Sequence, residues 1–476
     1  LDRTKELGTA PLFGLVLKYS IPAIIGMLVQ AVYNVVDRFF VGWGVGDLGV
    51  AGITVVFPYM LIFMAFGMLI GIGGAAAFSI FLGQKRETEA RLTFGNSLTM
   101  TVIISLILSA VGILFTEPLL KLFGASENVI GPAKDYMSII AFGGLFQTIS
   151  FAMNNFIRAQ GSPITAMLTL LIGAALNTIL DPIFIFVFGW GVGGAALATV
   201  ISMIVSSIWV MAGLFNTPMG KKLTLQDLIP SPKILLRVFT IGVAPFFMQV
   251  AASVLNAILN TQLSFYGGDW ALTSIGVIFS IAMLFLMPIF GLNQGTQPLI
   301  GFNYGAQFYD RVRKLVLLTT VSTTLVTLLG FLAALFAPRI LFAFFLPKNP
   351  EILDRGSQAL TIFFLAFPLI GSQIAGVGYF QAIGKAAYSM ILSLSRQVLF
   401  LIPLILILPR FFGISGVWYS IPIADTLAFL ITGFLLIREL AGLKNQHLEK
   451  NLNSTTPGPL ENIKSADALG NAGEIL

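Results

Sequence analysis

Long apolar blocks separated by short polar turns dominate this chain. Val50–Gly83 and Thr240–Gly268 contain no charged residue, and each exceeds the ~20 helical residues needed to cross a ~30 Å hydrocarbon core. A membrane β-strand would alternate polar and apolar positions, whereas these blocks are apolar on every face. The pattern predicts an all-α, polytopic membrane protein with about twelve transmembrane helices. They lie near residues 12–42, 50–82, 94–116, 132–158, 163–189, 192–215, 234–264, 271–303, 313–337, 353–383, 386–410 and 414–438. Pro22, Pro58, Pro245, Pro288 and Pro368 fall inside these spans and are expected to kink them.

A shift of 222 residues aligns the first half with the second. Asn34, Gly46, Asp47, Phe57, Phe63, Gly73, Gly83 and Arg91 fall on Asn256, Gly268, Asp269, Phe279, Phe285, Gly295, Gly305 and Arg313. Ala159 and Gly161 fall on Ala382 and Gly384 at a shift of 223, and Gly191 and Gly194 on Gly413 and Gly416 at 222. Six spans per half is an even number, so both halves enter and leave on one side. Their repeats are then parallel, related by a pseudo-two-fold axis along the membrane normal, and enclose a cleft that can open to either side. The domains expected are an N-lobe (1–215), a linker (216–233) broken by Pro218, Pro230 and Pro232, a C-lobe (234–440) and a polar tail (441–476) without fixed structure.

Composition agrees. Of the residues, 57% are hydrophobic and 10% charged, against roughly 25% charged in soluble domains. The net charge of +6 is spread over short basic clusters, Lys85–Arg91, Lys221–Arg237 and Arg311–Lys314, rather than gathered into a surface for nucleic acid. These clusters follow even-numbered spans, so the positive-inside rule puts those loops and both termini in the cytoplasm. The first 19 residues lack a cleavable-signal pattern, and the first span is expected to direct insertion itself. Cys is absent and the single histidine is His447, in the tail. Thiol chemistry, Cys- or His-based zinc sites and an intramembrane histidine relay are thereby excluded. No cofactor is expected, and an enzyme is disfavoured because catalysis usually draws on clustered His, Cys or carboxylates. A pore is disfavoured because no charged ring or filter-like loop repeats.

Three acids fall within spans: Asp37, Asp181 and Asp425. A carboxylate at mid-membrane costs about 2.5–3.5 kcal/mol on insertion scales, so each calls for an account. Asn177 precedes Asp181 by four residues, which puts both on one helical face. Pro182 follows at once and frees backbone carbonyls. In the next span Ala195 and Thr199 also stand four apart. This set suits a monovalent hard cation, or else the carboxylate itself titrates. Gln30, Asn34 and Asp37 form a second polar stripe beside Arg38, and Asn154 stands in the fourth span. Asp425 reads equally as an ion site or as a bond to a neighbouring helix, with Arg396 as partner for it or for an anionic substrate group. The plainer account of any of these acids is a helix end reaching water.

The repeat supplies an internal control. Asn177, Asp181, Thr199, Asp37 and Asn154 map to Leu399, Pro403, Ile421, Leu259 and Val377. Residues needed only for architecture should recur in both halves, so coupling chemistry is expected in the N-lobe.

Ile21-Pro22, Tyr33-Asn34-Val35-Val36-Asp37-Arg38-Phe39-Phe40-Val41-Gly42, Arg158-Ala159-Gln160-Gly161 and Asn177-Thr178-Ile179-Leu180-Asp181-Pro182 together resemble the multidrug and toxic compound extrusion (MATE) family. The likeness runs from about Leu12 to Arg438. It implies twelve helices in two lobes and export driven by sodium or proton entry. It implies a cation site (Na+ or H+) at Asp37, Asn177, Asp181 and Thr199, with Ala195 lending a carbonyl. The acids that one branch carries on its seventh and tenth helices are absent here; those stretches hold Gln249 and Gln373. The chain is thus similar to the DinF- and MepA-like branches. Gln30, Asn34, Asn154, Gln249, Asn256 and Gln373 are the expected lining of a substrate cavity. The implied protein is a monomeric antiporter in a bacterial inner membrane, exporting amphipathic, often cationic, organic compounds. The alternative is a flippase for lipid-linked sugars of the same superfamily.

Overall fold

The computed structural model describes residues 2–45, 47–123, 125, 127, 129–345 and 350–455. The side chains at 2–5, 33–39, 41–43, 47–51, 269, 345, 350–351 and 444–455 lie outside that description. Within it, eleven helices are long and apolar enough to cross a membrane, and a bent pair makes the twelfth span. We number the spans α1 (Leu12–Val45), α2 (Asp47–Gly83), α3 (Glu87–Leu114), α4 (Ile130–Ala159), α5 (Pro163–Pro182), α6 (Gly191–Phe215), α7 (Pro232–Gly267), α8 (Asp269–Gly305), α9 (Tyr309–Phe336), α10 (Pro350–Phe364 with Phe367–Ala382), α11 (Ala386–Leu394 with Ile402–Ile407) and α12 (Ile414–Thr455).

Departures from plain α-helix have local causes. The halves of α10 meet at 45°, immediately before Pro368, whose ring nitrogen cannot donate back into the preceding turn. Past Pro182, α5 continues as a π-helix over Ile183–Val187. In α11 a π-helix spans Ser395–Leu401, ahead of Pro403. Both lobes thus widen their fifth span beside a proline. By contrast Pro22, Pro58, Pro245 and Pro288 sit inside unbroken helices. Gly161 and its repeat partner Gly384 close α4 and α10 at φ 85° and 76°, a conformation open to glycine at no steric cost. The tail expected from 441 to lack structure remains helical to Thr455, and Leu440 and Leu443 hold its start against an apolar cluster. The rest of it lies outside the described residues.

Each lobe has its own core. In the C-lobe Ile278, Phe364, Phe367, Trp418 and Ile421 pack together. In the N-lobe Phe63, Met137, Ile140 and Val200 form one cluster and Phe78, Phe94, Phe156 and Val210 another. The Gly67–Gly71 pair of α2 lets α4 approach, through Phe151 and Ala152. At one end of the bundle the lobes interpenetrate. Leu15, Val16 and Tyr19 of α1 are buried with Leu299 and Ile300 of α8, and Ile234 and Val238 of α7 are buried in the N-lobe cluster. Small residues bring backbones together along this seam: Gly295 meets Tyr19 and Ser20, Gly291 meets Ile24, and Gly73 meets Val238 and Gly242.

Both segments that lead into these crossing helices are pinned. Ahead of α1, a short helix Asp2–Thr9 docks on the C-lobe. Asn303 donates to Leu7 O (3.0 Å) and Arg311 to Ala10 O (2.8 Å). Ahead of α7, the inter-lobe linker is held to α3: Asn96 donates to Asp227 O (2.9 Å) and Ile229 O (3.1 Å), and Arg91 pairs with Asp227 at 2.8 Å. Toward the opposite end, Gln30 on α1, Ser253, Asn256 and Asn260 on α7 and Ser280 on α8 are exposed. Ser253, Asn256 and Ser280 donate to carbonyls one turn back on their own helices.

Candidate functional site

The polar cluster of the N-lobe forms where α5 and α6 pack. Asn177 and Asp181, one turn apart on α5, are 1% and 0% exposed; Thr199 on α6 is 5% exposed. The Asn177 amide nitrogen donates to Asp181 Oδ1 (3.3 Å) and to Thr199 Oγ1 (3.2 Å). Thr199 in turn donates its hydroxyl hydrogen to Ala195 O (3.0 Å). The amide therefore ties the carboxylate on one helix to the hydroxyl on the next, which fixes its own orientation. Its oxygen, Asn177 Oδ1, is buried and has no hydrogen-bond partner among the described residues. A buried acceptor left in that state costs about 1–3 kcal/mol. It is the NH2 group, not this oxygen, that faces the carboxylate and the hydroxyl.

Gly26 of α1 lies against Leu170 of α5, and Gly44 against Ile185. The stretch of α1 between them, residue 37 included, thus runs beside the part of α5 that carries Asn177 and Asp181. The side chains of Asn34, Asp37 and Arg38 are outside the described residues.

The expected cavity lining divides. Gln30 on α1 and Asn256 on α7 are exposed, and Gln249 on α7 is half-buried. Asn154 and Gln373 are instead packed inside, at 3% and 4% exposure. Asn154 donates to Ala166 O (2.8 Å), the first turn of α5. It serves as a bracket between α4 and α5, because a buried amide must find acceptors inside the protein. In the C-lobe, the Arg396 Nε–H donates to Asp425 Oδ1, from the π-helical part of α11 to α12. Of the two partners proposed for Arg396, the structure supplies the carboxylate. The seam holds one polar residue whose surroundings the pattern did not single out. Arg158 is buried beside Asn155; its signals in the sequence were a cation at the end of an apolar block and its place in the Arg158-Ala159-Gln160-Gly161 motif.

Comparison with known proteins places this arrangement. The MatE family profile matches the chain twice, over residues 22–183 and 244–407; the two matches begin one 222-residue repeat apart. The multidrug export protein MepA of Staphylococcus haemolyticus is 26% identical over 89% of this chain and 93% of its own. That of Staphylococcus saprophyticus subsp. saprophyticus is 27% identical over 90% and 95%. A solved structure of the MATE multidrug transporter DinF-BH is 39% identical, covers 90% of this chain and 96% of its own, and superposes with a TM-score of 0.82. An outward-facing multidrug resistance MATE family transporter of the MOP superfamily is 26% identical over 94% and 99%, with a TM-score of 0.84.

Proposed function

Since this chain belongs to the MatE family of membrane transporters, we propose that it is an antiporter exporting amphipathic, often cationic, organic compounds in exchange for sodium or protons. The observation that carries the reading is the Asn177–Asp181–Thr199 cluster, with its unpartnered amide oxygen beside a fully buried carboxylate. A carboxylate in that setting is stabilised by a cation or by its own proton. The neutral oxygens at hand favour sodium, since they assist a metal more than they assist protonation. Asp37 joins this set in the proposal, on the helix that runs alongside. The relatives named for multidrug export support the choice of substrate class.

In the proposed topology the protein spans the inner membrane with both termini in the cytoplasm. The interpenetrating end of the lobes then faces the cytoplasm, and the cleft bordered by Gln30 and Asn256 opens outward. Cation binding from outside would favour release of the exported compound and return of the cation-loaded carrier. A flippase for lipid-linked sugars would need several unpaired cationic groups around a lipid-open cleft; Arg396 is already bound to Asp425, and Arg158 is sealed in the seam between the lobes. That reading ranks second.

The test is efflux of a fluorescent organic cation from proteoliposomes under a sodium gradient and, separately, a proton gradient. Drive by either one, lost in Asp181→Asn, is expected and names the ion. No transport under either gradient, or undiminished transport in the variant, would overturn the proposal.

A further inference from the structure

Where the lobes interpenetrate, α2, α4 and α8 surround a small cavity of ≈ 10 Å³ lined by Ser79, Asn155, Arg158, Gln294 and Gln297. That is room for about one water-sized particle. Arg158 is 4% exposed. Its Nη2 donates to Asn155 Oδ1 at 3.0 Å, one turn back on the same helix. Among the described residues no carboxylate stands within ion-pair distance of it. Other arginines of this chain differ: Arg86, Arg91, Arg339 and Arg396 each face an acid.

An arginine does not shed its proton inside a protein. A buried guanidinium without a counter-charge costs several kcal/mol, and among the described residues none neutralises it. The other polar groups around the cavity narrow what could do so. Ser79 donates to Ala75 O, Asn155 to Phe151 O and Gln297 to Gln381 Oε1. Gln294 Oε1 is buried with no hydrogen-bond partner among the described residues. Its amide oxygen and nitrogen exchange places by a half-turn of the side chain, which would direct an NH2 group at the cavity. The free guanidinium N–H groups and this amide then aim donors at the cavity, beside the apolar Ala75, Ala76 and Pro298. Phosphate, sulfate and organic acids are far too large for this space, and a chloride, about 0.4 Å larger in radius than water, needs only a small outward shift of the flexible lining side chains.

The geometry points to a binding site for one chloride-sized anion between Arg158 of the N-lobe and Gln294 of the C-lobe. Because the two residues come from different lobes, the site exists only while this end of the bundle is closed. The anion would act as a staple on that state, and parting the lobes would release it as Arg158 becomes hydrated. This role is separate from any cation held at Asp181.

The experiment uses the purified full-length protein in detergent, melted in sodium gluconate progressively replaced by sodium chloride. Sodium and ionic strength stay constant, so the cation site is not perturbed. A saturable rise in Tm with chloride is expected in the unaltered protein, and no rise in Arg158→Gln. Crystals of the unaltered protein soaked in bromide should show anomalous density between Arg158 and Gln294, which decides the matter even if the variant does not fold. Equal melting in both salts, a chloride effect that persists undiminished in Arg158→Gln, or bromide absent from this cavity would each overturn the assignment.

Discussion

Gly83 and Gly305, one repeat apart, face each other across the seam between the lobes. A Cβ on Gly83 would collide with the carbonyl oxygen of Phe302, and one on Gly305 with that of Ile80. Phe302 and Ile80 are themselves 222 residues apart, so the contact is two-fold symmetric. Neither obstacle is a side chain that can swing away.

Substituting either glycine should therefore open this end of the bundle. Gly305→Val is expected to overpack the seam by about 1–3 kcal/mol and shift the population toward lobes parted here. The chain contains no cysteine, so an engineered Ser79→Cys reports directly. Its alkylation by a water-soluble maleimide should be slow in the parent and several-fold faster with Gly305→Val. Equal rates would mean that the glycines do not limit closure.

The Arg396–Asp425 pair predicts an asymmetry between breaking and replacing. Asp425 is fully buried, so Asp425→Asn leaves a guanidinium without its partner. Loss of one member of a buried pair typically costs about 3–5 kcal/mol. Replacing both, as Arg396→Met with Asp425→Leu, should recover most of that loss. Thermal unfolding in detergent of the two single variants and the double variant measures it; additive losses would contradict the pairing.

Within the N-lobe cluster, Thr199→Ala removes one hydroxyl and should weaken cation-driven transport about tenfold, the worth of roughly 1.4 kcal/mol. Asn154→Ala should leave the cation dependence unchanged and lower stability by about 1 kcal/mol, because its bond is to Ala166 O. Half-saturating sodium or proton concentration, measured beside Tm, separates the two effects. Identical changes in both variants would rule out the division drawn here.

Acid should release the inter-lobe linker. Burial would raise the pKa of Asp227, but the hydroxyl and backbone N–H of Thr224 and the nearby Arg91 outweigh it and hold the carboxyl below its ordinary value. A group whose pKa is depressed by folding contributes its stability above the unfolded pKa, near 3.9 for aspartate, and loses it as pH falls through the folded value. Near neutral pH, Asp227→Asn should cost on the order of 2 kcal/mol. The gap between variant and parent should narrow as pH drops below about 4, read as Tm across that range. A gap that does not change with pH would show that the ionised form plays no part.

The Asn177–Asp181 cluster was legible because its parts are local: the two share a helical face by spacing alone, and Pro182 announces the break that follows. The burial of Asn154 and Gln373 could not be read from the sequence. An amide on an apolar helix looks alike in sequence whether it faces a cleft or a neighbour's carbonyl. Side-chain direction around the helix axis depends on which helices pack against it.

By itself the sequence determined the number of spans, the two-fold repeat and the acids that need a counter-charge. Those follow from the cost of placing polar groups in hydrocarbon, which each residue carries with it. Tertiary structure decided which carboxylate meets which cation, as with Arg396 and Asp425. It also decided that α1 and α7 begin inside the opposite lobe, and that Arg158 is buried with no acid beside it among the described residues. Such pairings join residues far apart in the chain, and close packing of backbones at glycines, not any local pattern, brings them into contact.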